Sequence, residues 1–184
     1  MKKIVMIVGS MRANSFNKQL AMAVQTMLSK RAEIIFLEYA DLPFMNQDIE
    51  FPAPISVERV RHVVREADGV WIFTPEYNYH VPGVLKNLLD WLSRPLVPTD
   101  RERNSVVKGK PATICGVAGK SVAAGARDNL LAILKAMSMH VVGDHGTGVS
   151  LSAKEFQTDI LEVTAETEAM LRTQAECFLD ALEK

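Results

Sequence analysis

The sequence predicts an α/β protein with a doubly wound parallel sheet and helices on both faces. Short apolar runs rich in β-branched residues alternate with stretches in which apolar residues recur every three or four positions. This alternation is typical of parallel strands that are buried on both faces and joined by right-handed helical crossovers. Because five such runs are found, we predict the five-stranded, flavodoxin-like order of strands.

The elements follow one another as strand and helix along the whole chain. The predicted strands are Lys3 to Val8, Glu33 to Glu38, Gly69 to Thr74, Pro111 to Val117 and a weaker run, His140 to Gly143. The helical stripes are Phe16, Leu20, Val24 and Met27; Val57, Val60, Val64 and Ala67; Leu85, Leu88, Leu89 and Leu92; and Leu130, Ile133, Leu134 and Met137. A last stripe, from Ile160 to Leu182, predicts one long C-terminal helix.

Composition limits the class of function. A chain of 184 residues with 48% hydrophobic content predicts a single domain over residues 1–184. The net charge of −1 supplies no field for nucleic acid, and the N-terminal apolar run is too short to span a membrane. Cys115 and Cys177 lack metal-ligand spacing, so we expect no metal site. These features favour a cytoplasmic protein that acts on small molecules.

The first loop of interest, GSMRANSFN, follows the first strand. Open α/β sheets bind ligands beyond the carboxyl ends of their strands, so the loops after Val8, Thr74 and Val117 are the candidates. Ser15 occupies the expected N-cap of the first helix, while Ser10, Arg12 and Asn17 crowd the same helix N-terminus, where backbone N–H groups attract an anion. Neither GxxxxGK[ST] nor GxGxxG is present, which favours a single phosphate monoester. An ordinary capped polar loop remains the alternative.

The second loop, TPEYNYHVPG, is stiffened by two prolines. Its backbone could direct N–H groups at the edge of a planar ring, and Tyr77 and Tyr79 could flank that ring. The alternative is a loop whose tyrosines only cover the end of the sheet. With a phosphate site beside it, the loop predicts a flat heterocycle that carries one phosphate, such as FMN. His80 is expected to be a bystander.

The stretches GSMRANSFN and PEYNYHVPGVLKNLLDWLSRP together resemble the NADPH-dependent FMN reductase family. The resemblance implies that Ser10, Arg12, Ser15 and Asn17 hold the FMN phosphate, with Met11, Asn14 and Phe16 close by. It also implies that Pro75, Glu76, Tyr77, Asn78 and Tyr79 flank the isoalloxazine, with Gly119 from the third loop. That loop departs from the family, which often has Gly-Gly where this chain has Ala124-Gly125, and Lys120 receives no role.

The activity implied by the resemblance is an exchange of electrons through bound FMN. NADPH or NADH would reduce the flavin and then be replaced over the same ring face by an acceptor, such as a quinone, an azo compound, a metal oxyanion such as chromate, or free flavin. The flavin would carry the chemistry, so no catalytic side chain is expected. The family also implies a homodimer or homotetramer, built near Trp91, Leu92, Leu96 and Val97.

Other functions on the same fold fit the residues less well. A flavodoxin-type electron carrier, which is the main alternative, usually has a Thr-rich phosphate loop and a strongly acidic surface. A response-regulator receiver would need acidic residues where this chain has Gly9-Ser10 and Thr74-Pro75. A cysteine-based phosphatase would need its nucleophile in the phosphate loop, and both cysteines lie elsewhere.

One further segment, from Arg94 to Lys110, is too long and too charged for a plain connection. Its cations are Arg94, Arg101, Arg103, Lys108 and Lys110. They could attract the 2′-phosphate of NADPH near the cleft, from the same chain or across a subunit boundary. A solvated surface is the alternative.

Overall fold

The computed structural model describes residues 1–102 and 104–184, and a parallel sheet lies at its centre. The strands are β1 (Lys2–Val8), β2 (Ala32–Phe36), β3 (Gly69–Thr74), β4 (Pro111–Ala118), β5 (His140–Val141) and β6 (Thr147–Ser150). Their order is β2-β1-β3-β4-β5, and β6 also pairs with β4. This is the flavodoxin-like order, so the predicted fold class is confirmed.

The prediction of five strands needs one correction, because the fifth position is shared by two short strands. β5 pairs with Pro111 and Ala112 at the beginning of β4, whereas β6 pairs with the last four residues of β4. The chain leaves the sheet between them, where Gly143, Asp144 and Gly146 all have positive φ angles. A Cβ on Gly146 would lie 1.8 Å from the Ile114 carbonyl oxygen, so this close passage requires glycine.

Helices cover both faces of the sheet. They are α1 (Phe16–Leu28), α2 (Ile55–Arg65), α3 (Gly83–Leu92), α4 (Ala124–Ala136), α5 (Ala153–Thr158) and α6 (Ala165–Leu182), with a short 3₁₀ helix at Gln47–Ile49. Successive residues of β3 face opposite cores: Val70 and Ile72 pack with residues of α2, α3 and α4, and Trp71 and Phe73 with residues of α1 and α6. No helix in the described part of the chain is both long and apolar enough to span a membrane.

The predicted long C-terminal helix is present as α6, but it begins at Ala165 and not at Ile160, and a connector separates it from α5, a short helix that the sequence had not indicated. Ser152 and Glu155 form a reciprocal capping box that begins α5, and Asp159 ends it in a left-handed conformation with φ of 58°. Thr164 then caps α6 by accepting a hydrogen bond from the Thr167 N–H. Residues 159–164 form the connector between these two helices.

Candidate functional site

The three loops predicted to bind a ligand meet at the carboxyl edge of the sheet and enclose a cleft of about 410 Å³. This volume lies within the range of small-molecule sites. The predicted site residues that line it are Ser10, Arg12, Ser15, Phe16, Asn17, Pro75, Glu76, Tyr77 and Gly119. Residues that the sequence did not indicate complete the lining: Val117, Ala118, Leu151, Phe156 and Asp159. Met11, Asn14, Asn78 and Tyr79 are absent from it.

The first loop brings the N-terminus of α1 to the cleft. Ser15 stands at the N-cap as predicted, but its hydroxyl makes no capping hydrogen bond, and the residue is only 3% exposed. The first N–H that bonds back into the helix is that of Gln19, which donates to the Ser15 carbonyl oxygen. The N–H groups of residues 16–18 precede it and have no intrahelical acceptor. This end of the helix is therefore suited to an anion.

Arg12 lines the cleft and is held between two partners. Its Nη1 donates to Asp159 Oδ1 at 2.6 Å, and its guanidinium lies 5.1 Å from the centre of the Phe16 ring. Hydrogen bonds from Arg12 and then from Asn14 lower the pKa of the Asp159 carboxyl below its usual range. The Asp159 carboxyl is therefore ionised at neutral pH.

The side chains of the two asparagines in this stretch bind other parts of the protein and do not point to a ligand role. Asn17 is buried, and its side-chain amide exchanges two hydrogen bonds with the backbone of Val117, at 3.1 Å and 3.0 Å. These bonds fix α1 to the end of β4. Asn14 donates its amide to the carbonyl oxygen and to Oδ2 of Asp159, both at 2.8 Å. The sequence had indicated neither partner.

The second loop contains a tight turn. Tyr77 and His80 exchange backbone hydrogen bonds of 3.1 Å and 3.0 Å, while Asn78 and Tyr79 between them have φ angles of 53° and 63°. Two successive positive φ angles are the mark of a type I′ turn, and they are costly for a tyrosine. The turn itself is exposed, with the Tyr79 side chain standing out of the protein. His80 accepts a hydrogen bond from the Val81 N–H at Nδ1, and its role as a bystander stays a prediction.

Glu76 joins the second loop to α4. Its Oε2 accepts a hydrogen bond of 3.0 Å from the N–H of Ala126, in the first turn of that helix. The N-cap residue Ala123 cannot supply a side-chain acceptor, so Glu76 caps the helix from another loop. The approach depends on Gly125, because a Cβ there would lie 2.6 Å from the Tyr79 carbonyl oxygen.

The third loop follows β4 and presents its backbone to the cleft. Gly119 lines the cleft, and a Cβ built on it would meet no protein atom within 4 Å. A side chain at this position would therefore project into open space beside the cleft. Behind it, Val122 and Ala123 adopt left-handed conformations, and Arg127 Nε donates to the Val122 carbonyl oxygen at 3.1 Å. Lys120 is exposed.

The charged segment from Arg94 to Lys110, called the basic segment below, lies away from this cleft. It starts where α3 ends and leads into the first residue of β4, so it lies at the amino edge of the sheet. Arg94 forms an ion pair with the buried Glu50, and Lys110 donates to the Ala67 carbonyl oxygen just before β3. For the cations of this segment that the structure describes, the expectation of a position near the cleft of their own chain is therefore wrong. Arg103 lies outside the described residues.

The residues expected near a subunit contact divide into two groups. Trp91 and Leu92 are buried within the chain, and Trp91 Nε1 donates to the Pro43 carbonyl oxygen at 2.9 Å. Leu92 packs in the core on one face of the sheet, as the alternative interpretation had it, whereas Trp91 is buried beside Pro43. Leu96 and Val97 remain 38% and 50% exposed. The predicted homodimer or homotetramer stays a prediction.

Comparison with known proteins points to one family. The model of the family described as NADPH-dependent FMN reductase matches residues 2–154. A 2-hydroxy-1,4-benzoquinone reductase from Burkholderia sp is 42% identical over 114 residues, which cover 62% of this chain and 59% of that protein. A quinone reductase from Escherichia coli (strain K12) is 38% identical over 148 residues, covering 75% of this chain and 73% of that protein.

A solved structure extends the similarity to the whole chain. The flavoenzyme FerB from Paracoccus denitrificans, an NAD(P)H:(acceptor) oxidoreductase, superposes with a TM-score of 0.85 at 30% sequence identity. The superposition covers 100% of this chain and 98% of that one. The α5–α6 region of this chain therefore has a structural counterpart in FerB, although the family model ends at residue 154.

Proposed function

The chain belongs to the NADPH-dependent FMN reductase family, and from this premise we propose that it is an FMN-dependent oxidoreductase that passes electrons from NADPH or NADH to quinones. The observation that carries the proposal is the single cleft in which all three carboxyl-edge loops meet. Quinone acceptors agree with the names of two relatives. Azo compounds, metal oxyanions and free flavin are broader predictions of the same chemistry.

The donors at the N-terminus of α1 suit the phosphate of FMN. Arg12, Ser15, Phe16 and Asn17 all line the cleft, and the last two carry free N–H groups of the first turn of α1. This donor set combines the positive end of a helix with one fixed charge, which matches a phosphate monoester. Asn17 would contribute through its backbone N–H, because its side chain is engaged with Val117.

The second and third loops suit the isoalloxazine. Pro75, Glu76 and Tyr77 line the cleft, and Gly119, also in its lining, leaves open space beside it for a flat ring. Asn78 and Tyr79 would act from the rim, through the turn that they form. FMN, when bound, supplies the two-electron chemistry between the nicotinamide and the acceptor. The role of the chain is then to orient the ring and to leave one face accessible.

The proposal is tested with purified protein reconstituted with FMN. We expect it to oxidise NADPH or NADH when 1,4-benzoquinone is added, and to bind FMN more tightly than riboflavin. Arg12→Ala should weaken FMN binding by roughly 1.5–3 kcal/mol, the value of a charge-assisted hydrogen bond, with little effect on riboflavin. Lys30→Ala, an exposed cation beyond the far end of α1, serves as the control.

Two results would contradict the proposal. A protein that binds neither flavin has no flavin site in the cleft. A protein that binds FMN, but does not oxidise either nicotinamide in the presence of quinones, would instead be an electron carrier of the flavodoxin type.

A further inference from the structure

We propose that Asp159 is a positioning residue that fixes Arg12 in place to receive the phosphate of FMN. The inference rests on the proposed function and deepens it by assigning a role to the α5–α6 connector. Asp159 lies five residues beyond the segment that the family model matches, which ends at residue 154. It also lies 147 positions away from Arg12 in the sequence.

The Asp159 carboxylate is itself rigidly held, which a positioning residue requires. Its backbone N–H donates to the Glu155 carbonyl oxygen at 2.8 Å and closes α5. Its carbonyl oxygen accepts from Asn14 Nδ2 at 2.8 Å and from Gln19 Nε2 at 3.1 Å. The Gln19 side chain also accepts from the N–H of Leu161, so α1 holds the connector at Asp159 and again two residues further on.

An aromatic contact adds to this grip. The rings of Phe16 and Phe156 meet edge to face, with their centres 6.1 Å apart. Phe16 also underlies the Arg12 guanidinium. The connector and α1 therefore hold Arg12 from two directions, the carboxylate from one and the Phe16 ring from the other.

This arrangement leaves one edge of the guanidinium for a ligand. Asp159 engages Nη1, whereas Nε and Nη2 have no hydrogen-bond partner among the described residues. A free arginine side chain would lose rotamer freedom when it bound a phosphate, and this loss weakens binding. Because Asp159 has already ordered the side chain, binding at the free edge avoids much of that loss.

The charge of Asp159 makes the test decisive, because its two effects have opposite signs. A carboxylate near a phosphate repels it, so removing that charge would by itself tighten FMN binding. Loss of positioning would weaken it. A weaker affinity after removal of the carboxylate therefore cannot come from the change in charge.

The experiment measures dissociation constants for FMN and riboflavin by fluorescence titration of the wild type and Asp159→Gly. Glycine tolerates the left-handed backbone of position 159, so the turn is kept while the carboxylate is lost. We expect the Kd for FMN to rise roughly three- to tenfold, with the Kd for riboflavin unchanged within about twofold. Glu162→Gln removes an exposed charge from the same connector and should leave both constants unchanged.

Coupling to Arg12 separates positioning from a general structural effect. In the Arg12→Ala background, Asp159→Gly should change the Kd for FMN by less than about twofold, because the group that it orders is gone. If Asp159→Gly does not fold, Asp159→Asn, which also tolerates a left-handed backbone, replaces it and should weaken FMN binding in the same direction.

The outcomes distinguish this inference from the proposed function. Unchanged or tighter binding of FMN by Asp159→Gly overturns the inference, as does an equal loss in the Arg12→Ala background. If the wild type binds riboflavin as tightly as FMN, the phosphate site itself is wrong and the proposed function fails at that point.

Discussion

Single residues in the candidate site are constrained by backbone geometry more than by side-chain chemistry. Asn78 and Tyr79 hold left-handed conformations, and Gly125 lets the carbonyl oxygen of Tyr79 approach the start of α4. Asn129 Nδ2 then donates to the same oxygen at 3.2 Å. A strained turn that is held by several neighbours is typical of functional loops. The type I′ turn is therefore fixed against α4 from outside the cleft.

Gly125→Ala tests this close approach. The new Cβ would lie 2.6 Å from the Tyr79 carbonyl oxygen and 3.2 Å from Glu76 Oε2, so the loop or the helix must shift. We expect a loss of roughly 1–3 kcal/mol in the free energy of unfolding, measured in urea. Gly83→Ala is the matched control, because Gly83 also lies in a first helical turn but has open space around it. Equal effects of the two substitutions would contradict the argument.

The two cysteines should differ sharply in reactivity. Burial raises the pKa of the Cys115 thiol to about 12, whereas Cys177 is exposed on α6. Only the thiolate is nucleophilic, and a raised pKa keeps the thiol protonated throughout the neutral range. We expect iodoacetamide at pH 8 to add one label per native chain, at Cys177, and two labels after denaturation. Mass spectrometry of digested protein checks the positions, and native labelling of Cys115 would show that the core opens.

At the scale of elements, α6 supplies hydrogen bonds where the sheet is interrupted between β5 and β6. Gln174 lies on the buried face of this helix, and its Oε1 accepts from the N–H of Thr147 at 3.1 Å and from the Thr147 hydroxyl at 2.6 Å. Its Nε2 donates to the Ile114 carbonyl oxygen at 2.8 Å and to the Thr113 hydroxyl at 2.7 Å. One side chain therefore satisfies backbone groups that an unbroken fifth strand would have paired.

Gln174→Leu should destabilise the protein although it adds an apolar residue to an apolar core. The substitution leaves the N–H of Thr147 and the carbonyl oxygen of Ile114 buried without these partners, and each such group costs about 1–3 kcal/mol. We expect the free energy of unfolding in urea to fall by roughly 2–4 kcal/mol. Thr173→Ala, at an exposed position of the same helix, is the control. A Leu variant as stable as the wild type would mean that water replaces the network.

The sequence predicts elements well where one periodicity dominates and poorly where a turn interrupts it. Buried runs such as Gly69 to Thr74 read clearly as strands, and the strand ends located the loops that form the cleft. The stripe from Ile160 onward keeps helical spacing through the end of the connector, so it placed the start of the C-terminal helix before Ala165, where α6 begins. The capping-box signature Ser152-Ala-Lys-Glu155 could have marked a separate helix, but nothing local indicates that Asp159 meets Arg12.

At the scale of the whole molecule, the candidate site and the basic segment occupy opposite edges of the sheet. β3 and β4 run parallel, so the loops that follow them meet at the carboxyl edge, while the segment before β4 belongs to the amino edge. Val106 and Val107 are buried and anchor that segment there. A dinucleotide bound over the cleft would therefore meet the exposed Arg101 only if a second copy of the chain supplied it.

The last prediction follows from this separation. Arg101→Gln should leave the ratio of the KM values for NADPH and NADH unchanged within about twofold, because the charge that it removes is distant from the cleft of its own chain and is screened. Lys120→Gln, at an exposed position of the third loop, removes a cation from the carboxyl edge and should raise the KM for the anionic dinucleotides instead. Steady-state kinetics measures both, alongside the mass of the native protein in solution. An oligomer in which Arg101→Gln raises the KM for NADPH alone would overturn the prediction and place the segment across a subunit boundary.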